Sequence, residues 1–201
     1  EASPVPIPRR DPPHVVFAGR IEPKKGLDWL LRALAQTQAD VHLDVAGTGE
    51  DDYMAQIHHL AAQEGVEDQV TFHGWLGEDA VYDLIREARA LVFPSVWHEP
   101  AGLVTLEAAA LGRPVIASDV GGIPEYATDA FALRVSPRDV EGLAAQIDEL
   151  ASSPDRADEM GRRGRTLATD RFSMPSFVDQ VHDLYRSLVL DPNEGTPAPR
   201  R

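Results

Sequence analysis

Between residues 14 and 135 the chain alternates short runs rich in β-branched residues with longer amphipathic stretches, and this rhythm admits few folds. A repeated strand, helix, strand order predicts a parallel sheet covered by helices on both faces. The short runs fall at 14–18, 41–46, 69–73, 90–94, 113–117 and 131–135. Helical patterns near 26–38, 51–64, 78–88, 103–111 and 137–152 alternate with them. Six strands in this order predict an α/β, Rossmann-like doubly wound sheet.

At 201 residues and 43% hydrophobic, the chain is long enough for one α/β core and short for two. Prolines at 4, 6, 8, 12 and 13 forbid regular helix, so 1–13 reads as an extended interdomain linker. Residues 14–172 form the sheet domain, its last part a helical stretch at 155–169. A further helix follows at 175–190, within a segment 173–190. Its stripe of Phe177, Val181, Leu184, Tyr185 and Leu188 requires a partner surface. Proline, glycine and threonine then make 191–201 a tail expected to be disordered. No apolar run approaches the roughly 20 residues that cross a bilayer, and no signal-peptide pattern opens the chain. The expected location is cytoplasmic, with peripheral membrane association open to the full-length protein.

A net charge of −14, from 33 acidic against 19 basic residues, disfavours nucleic acid and anionic membrane surfaces as partners. Any anionic ligand must then be met by local cations. The only lysines are the adjacent Lys24 and Lys25. In an open α/β sheet ligands bind beyond the carboxyl ends of the strands, so the strand-to-helix turns carry the chemistry. The first turn, Gly19-Arg20-Ile21-Glu22-Pro23-Lys24-Lys25-Gly26, sets a guanidinium at the strand exit and an ammonium before the next helix, which suits a diphosphate. It lacks the G-x-G-x-x-G that lets a backbone approach a dinucleotide, which counts against a nicotinamide enzyme. Ordinary solvated charge is the competing reading for all three cations; position favours function for Arg20 and Lys25, and Lys24 stays a surface charge. Lys25 is expected to be exposed, so that replacing it costs turnover far more than stability.

The fourth turn, from Pro94 to Ala108, carries two glutamates separated by seven residues. Glu107 shares a helix face with Leu103, and helical side chains lean towards the N-terminus, so its carboxylate is within reach of a group held over the N–H groups of Gly102, Leu103 and Val104. A ribose diol donates two hydrogen bonds to such a carboxylate. Glu99 faces the other side of the phosphates, where a sugar would lie. For a random pair a cap and a solvated charge would be the better reading. The apolar neighbours of Glu107 weaken it, because an unpartnered carboxylate there is costly. Gly47-Thr48-Gly49-Glu50 and Gly121-Gly122-Ile123-Pro124-Glu125 are further glycine-rich exits on the same rim, with Glu125 as plausible a cap as a ligand group. His58, His59, His73 and His98 show no metal-ligand spacing; only His98, beside Glu99, merits attention.

In order, Gly19-Arg20-Ile21 to Lys25-Gly26, Gly47 to Glu50, Val70-x-Phe72-x-Gly74, Pro94 to Ala108, Gly112 to Ser118 and Gly121 to Glu125 resemble one family. It is the retaining glycosyltransferases of GT-B fold, the group 1 glycosyl transferases that include sucrose synthase and many mannosyl- and glucosyltransferases. The likeness is to their C-terminal, donor-binding domain. It implies that Arg20 and Lys25 neutralise a donor diphosphate, and that Glu99 with the Ala101–Gly102 backbone holds the sugar. Leu103 and Val104 N–H groups would meet the distal phosphate and Glu107 the ribose. Backbone near His73 and Leu76 would meet the base, with Gly19 and Gly49 giving close approach. The family commonly has an aromatic residue where this chain has Ala101. The resemblance further implies a nucleoside diphosphate sugar as substrate, retention of configuration, and neither cofactor nor metal. It also implies an N-terminal acceptor domain, missing here, on which the helix at 173–190 would dock and without which the fragment would be inactive. A nucleotide-sugar epimerase and a non-catalytic nucleotide-sugar-binding module remain competing readings.

Overall fold

The computed structural model describes residues 7–190 of the chain. Strands β1 (His14–Ala18), β2 (His42–Ala46), β3 (Val70–Gly74), β4 (Ala90–Phe93), β5 (Val115–Ser118) and β6 (Ala132–Val135) form at the apolar runs. They make one six-stranded sheet in the order β3-β2-β1-β4-β5-β6, and every neighbouring pair is parallel. This is the doubly wound order, in which the chain builds outward from β1 and then from β4 in opposite directions. The connecting helices are α1 (Leu27–Leu34), α2 (Asp51–Glu64), α3 (Glu78–Glu87), α4 (Leu103–Ala110), α5 (Ile123–Tyr126) and α6 (Val140–Ser152). Helices α7 (Pro154–Phe172) and α8 (Met174–Leu190) follow.

The two faces of the sheet bury separate cores. On one, Val15, Phe17, Leu43 and Val45 meet α1, α2 and α6; on the other, Val16, Leu91, Val115 and Ala117 meet Ile85, Ala108, Ile123 and Ala168. Alternation along β1 produces this split, since successive side chains point to opposite faces. Helix α1 shows why the periodicity was legible: Leu27, Leu30, Leu31 and Leu34, at the i, i+3, i+4, i+7 spacing, are at most 1% exposed.

Some boundaries differ from expectation for identifiable reasons. Helix α1 stops at Leu34 instead of reaching 38, because Thr37 Oγ1 donates to the Leu34 carbonyl at 2.8 Å and the Asp148 carboxylate draws off the Gln38 and Ala39 N–H groups. Helix α6 begins at Val140, not 137, because the Asp139 carboxylate accepts the Gly142 N–H at 2.9 Å and so caps the helix. Helix α7 continues to Phe172, beyond the expected 169.

Helix α7 closes the second core. It packs on α4 and, at Gly161, on the turn that follows α4, where a Cβ would stand 2.1 Å from the Gly112 carbonyl oxygen, so only glycine permits this approach. The described part of the N-terminal segment is tied to α7: Ile7 is buried and its N–H donates to Asp158, while Arg9 pairs with Asp155 and Asp158. Residues 1–6 of that segment and the tail at 191–201 lie outside the described residues. Helix α8 follows α7 after Ser173 and leaves its apolar side chains in solvent: Phe177, Val178, Leu184, Tyr185 and Leu188 are each more than half exposed. Among the described residues no helix is long and apolar enough to cross a membrane.

Candidate functional site

Strand order reverses between β1 and β4, and the turns leaving these neighbours diverge, opening a crevice at their carboxyl ends. A cleft of about 420 Å³ lies there. Its floor is Phe17 and Phe93, the ends of the two strands. One wall is the first turn, with Gly19, Arg20 and Lys25; the other is Glu99, Ala101 and Gly102 leading into Leu103 and Val104 of α4. Eight of the residues expected at the donor site thus share one cleft. The first N–H groups of α4 have no intrahelical acceptor and bring the positive end of its dipole to this wall.

Lys25 is held in the cleft, not displayed on the surface. Its Nζ donates to Glu99 Oε1 at 2.7 Å and stands 5.5 Å from the Phe93 ring centroid, and only 17% of the side chain is exposed. This corrects the expectation of an exposed lysine: the short helical turn Pro23–Lys25 is pinned to the β4 exit, because the Val96 N–H donates to the Lys24 carbonyl at 2.9 Å. That bond turns Lys25 inward and leaves Lys24 outside, where it pairs with Glu22 at 2.8 Å as a surface charge. Arg20 remains largely exposed and pairs with the other oxygen of Glu22 at 2.7 Å. The hydrogen bond from Lys24 lowers the Glu22 carboxyl most; burial opposes it, and the charges of Arg20, Lys24 and Lys25 help to hold the group below its usual value.

Glu99 is fixed from three directions. Lys25 and the Ser95 hydroxyl, 2.9 Å away, meet its carboxylate, and the Gly122 N–H donates to its carbonyl at 2.8 Å. The pair Gly121-Gly122 explains the glycine-rich fifth turn: a Cβ on Gly121 would fall 2.3 Å from the Glu99 carbonyl oxygen, and one on Gly122 would fall 2.2 Å from that of Pro100. Those glycines buttress the Glu99 loop and do not line the cleft. Behind the start of α4, the Tyr126 hydroxyl bonds to the Ala101 carbonyl and lies 2.6 Å from Thr105 Oγ1. Burial raises the Tyr126 phenol above its usual value, so it stays a neutral donor. Ser95 and Tyr126 carry no local signal of a site, since a serine after a strand and a tyrosine in a short helix are both ordinary.

The remaining expected residues lie elsewhere. Gly49 pairs with Ile21 in an isolated bridge beside the first turn. His73 turns its ring away, its Nε2 lying 2.7 Å from Asp44 Oδ1, and Leu76 packs on the second core. Glu107 lies on the far side of Leu103, in a second cleft of about 380 Å³ with Leu106, Ala110 and Phe172. Leu103, 65% exposed, is common to both clefts. Burial, with the Glu78 charge adding to it, raises the Glu107 carboxyl above the usual range.

A doubly wound sheet whose switch-point cleft combines a lysine, an arginine and a helix N-terminus defines a domain suited to an anionic, phosphate-bearing ligand. The chain belongs to the glycosyl transferases group 1 family, whose profile matches residues 2–167. It is 35% identical over 188 residues to an alpha-maltose-1-phosphate synthase of Mycolicibacterium smegmatis, a match covering 88% of this chain and 48% of that protein. Sucrose-phosphate synthase from Thermosynechococcus elongatus superposes with a TM-score of 0.81 at 32% identity, over 90% of this chain and 46% of the other. Anabaena HepE, solved in complex with UDP, superposes with a TM-score of 0.81 at 25% identity, over 87% and 48%. The chain therefore spans about half the length of the relatives it matches. The GT-B character expected from the sequence is thereby shown.

Proposed function

We propose that this domain binds the nucleoside diphosphate of a sugar donor and is the donor half of a retaining glycosyltransferase. The observation that carries this reading is the convergence of Lys25, Arg20 and the N-terminus of α4 on one cleft in a chain whose net charge is −14. Concentrating positive potential at one point of so acidic a surface serves an anion. The UDP complex of HepE supports a diphosphate as that anion.

In this reading the diphosphate displaces the Glu99 carboxylate from Lys25, and Glu99 turns to the sugar hydroxyls. When the bond from the anomeric carbon to the diphosphate oxygen breaks, negative charge grows on the departing group. Lys25, Arg20 and the N–H groups of Leu103 and Val104 stabilise it, so a divalent metal is not required. The acceptor hydroxyl attacks from the face of departure, which preserves configuration. An upstream domain supplies the acceptor and closes over the cleft, with the exposed stripe of α8 docked against it. Glu107 reaches ribose once the base and ribose lie over Leu103, which joins the two clefts.

Calorimetry of the chain with UDP, GDP and ADP tests the proposal. Weak binding of at least one is expected, and lack of heat from all three at millimolar concentration would refute it.

A further inference from the structure

On the face of the sheet that carries Val16, three strands bring a set of metal-ligating groups together away from the donor cleft. His14 and His42 are direct partners across β1 and β2. Asp44, two residues along β2, lies on the same face and pairs in register with Thr71, which sets His73 beside it from β3. His14 Nδ1 lies 2.7 Å from Asp44 Oδ2, and His73 Nε2 lies 2.7 Å from Asp44 Oδ1. The His14 and His42 rings are 4.6 Å apart between centroids. One ligand atom from each of His14, His42 and Asp44 falls within 4.8 Å of the others. The Asp44 carboxylate is 9% exposed, while the His14 and His73 side chains, at 21% and 27%, keep the cluster open to solvent.

We infer that His14, His42 and Asp44 form a binding site for a divalent transition metal of the zinc class. Imidazole nitrogen and carboxylate oxygen are the borderline ligands that zinc takes at about 2.0–2.2 Å, which sets tetrahedral ligand atoms about 3.3 Å apart. The 2.7 Å His14–Asp44 hydrogen bond opens by about 0.6 Å to reach that spacing, and the wider separations in the trio, within 4.8 Å, close by side-chain rotation. His14 then ligates through Nδ1 and carries its proton on Nε2. Asp44 ligates through Oδ2, His42 is the third ligand, and water takes the fourth position from the solvent side. His73 donates to the remaining carboxylate oxygen and so orients the ligand from behind, as outer partners of metal-binding carboxylates do. A bound ion would tie β1 to β2 directly and hold β3 through the His73–Asp44 bond, near the start of the donor rim at 74–76. The site is separate from the transfer chemistry, which the proposal above runs without a metal.

The test uses the untagged 201-residue chain after chelator treatment. Calorimetry with zinc chloride is expected to show one equivalent bound, with a rise in the thermal midpoint, and magnesium chloride no comparable heat. Cobalt(II) is expected to give the visible absorption of a tetrahedral N/O site. His14→Gln and His42→Gln each weaken zinc binding at least tenfold, and His73→Gln weakens it roughly 10–100-fold. His182→Gln, an exposed site on α8, leaves binding unchanged. Imidazole nitrogen NMR of the unaltered protein needs no variant to fold: zinc must move the ring signals of His14, His42 and His73 and spare those of His58 and His182. Absence of one-equivalent binding, zinc-induced shifts in other histidines, or full binding by His14→Gln and His42→Gln would reduce the cluster to a hydrogen-bonded network.

Discussion

Lys25 and Glu99 act as a pair, and removing one partner has a different consequence from removing both. With side chains 17% and 10% exposed, Lys25→Ala strands the Glu99 carboxylate in the cleft. Breaking such a pair costs about 3–5 kcal/mol, so chemical denaturation of Lys25→Ala should show a loss of that order. The double variant Lys25→Met, Glu99→Gln keeps volume without charge and should recover most of the stability while still failing to bind nucleotide. A double variant as unstable as Lys25→Ala would show that packing, not the stranded charge, dominates. Glu107 predicts the opposite pairing of effects. Its carboxyl is raised above the ordinary value of 4.5, so its neutral form favours folding. That contribution is fully present below about 4.5 and is lost as pH rises through the raised value. Glu107→Gln should therefore melt higher than the parent at neutral pH, with the difference vanishing in acid. If Glu107 reads ribose, the same variant loses one of two charge-assisted hydrogen bonds, worth roughly 1.5–3 kcal/mol, and nucleotide affinity drops about tenfold or more. A neutral-pH melting point below that of the parent would contradict the burial account.

Among the elements, α7 and α8 differ in what they contribute to the domain. Helix α7 buries Ala157, Met160, Gly161, Gly164 and Ala168 and is part of the core. Gly161→Ala places a methyl 2.1 Å from the Gly112 carbonyl and must push α7 away from the turn that ends α4. A loss of roughly 1–3 kcal/mol is expected, the range of overpacked sites. Because α4 also forms a wall of the cleft, nucleotide affinity should fall with it. Helix α8, by contrast, exposes the apolar residues a core would bury. Deleting residues 174–201 should leave the thermal midpoint nearly unchanged, because the described apolar side chains of α8 lie in solvent. A large drop in midpoint would show that α8 is already docked on its own domain. The helical periodicity of α8 was readable in the sequence; its lack of a covering surface among the described residues was not, because a stripe looks the same covered or bare.

At the scale of the molecule, the donor-half proposal predicts a division of labour: this chain alone should bind nucleotide without turnover, and supplying the proposed acceptor domain in trans should restore transfer. Turnover by the chain alone, measured by release of nucleoside diphosphate in the presence of acceptor, would overturn the division. Strand count, parallel order and the rim that carries the site were determined by the sequence itself. Periodicity is a local property, and a parallel sheet necessarily gathers every strand-to-helix turn at one edge, which is why Gly19, Arg20, Lys25, Glu99 and Gly102 could be assigned to one cleft. What lies between residues distant in sequence was not legible. The Lys25–Glu99 bond spans 74 residues, and whether Lys25 turns inward depends on the Val96 N–H capturing the Lys24 carbonyl. Glu107 falls instead into a second cleft that it shares with Phe172, from the far end of α7. His42 and Asp44 share a face two residues apart on β2, but His14 and His73 reach them only through the register of three parallel strands. Sequence periodicity determined which residues share a face; side-chain direction and strand register, set by packing across the whole domain, decided which of them touch.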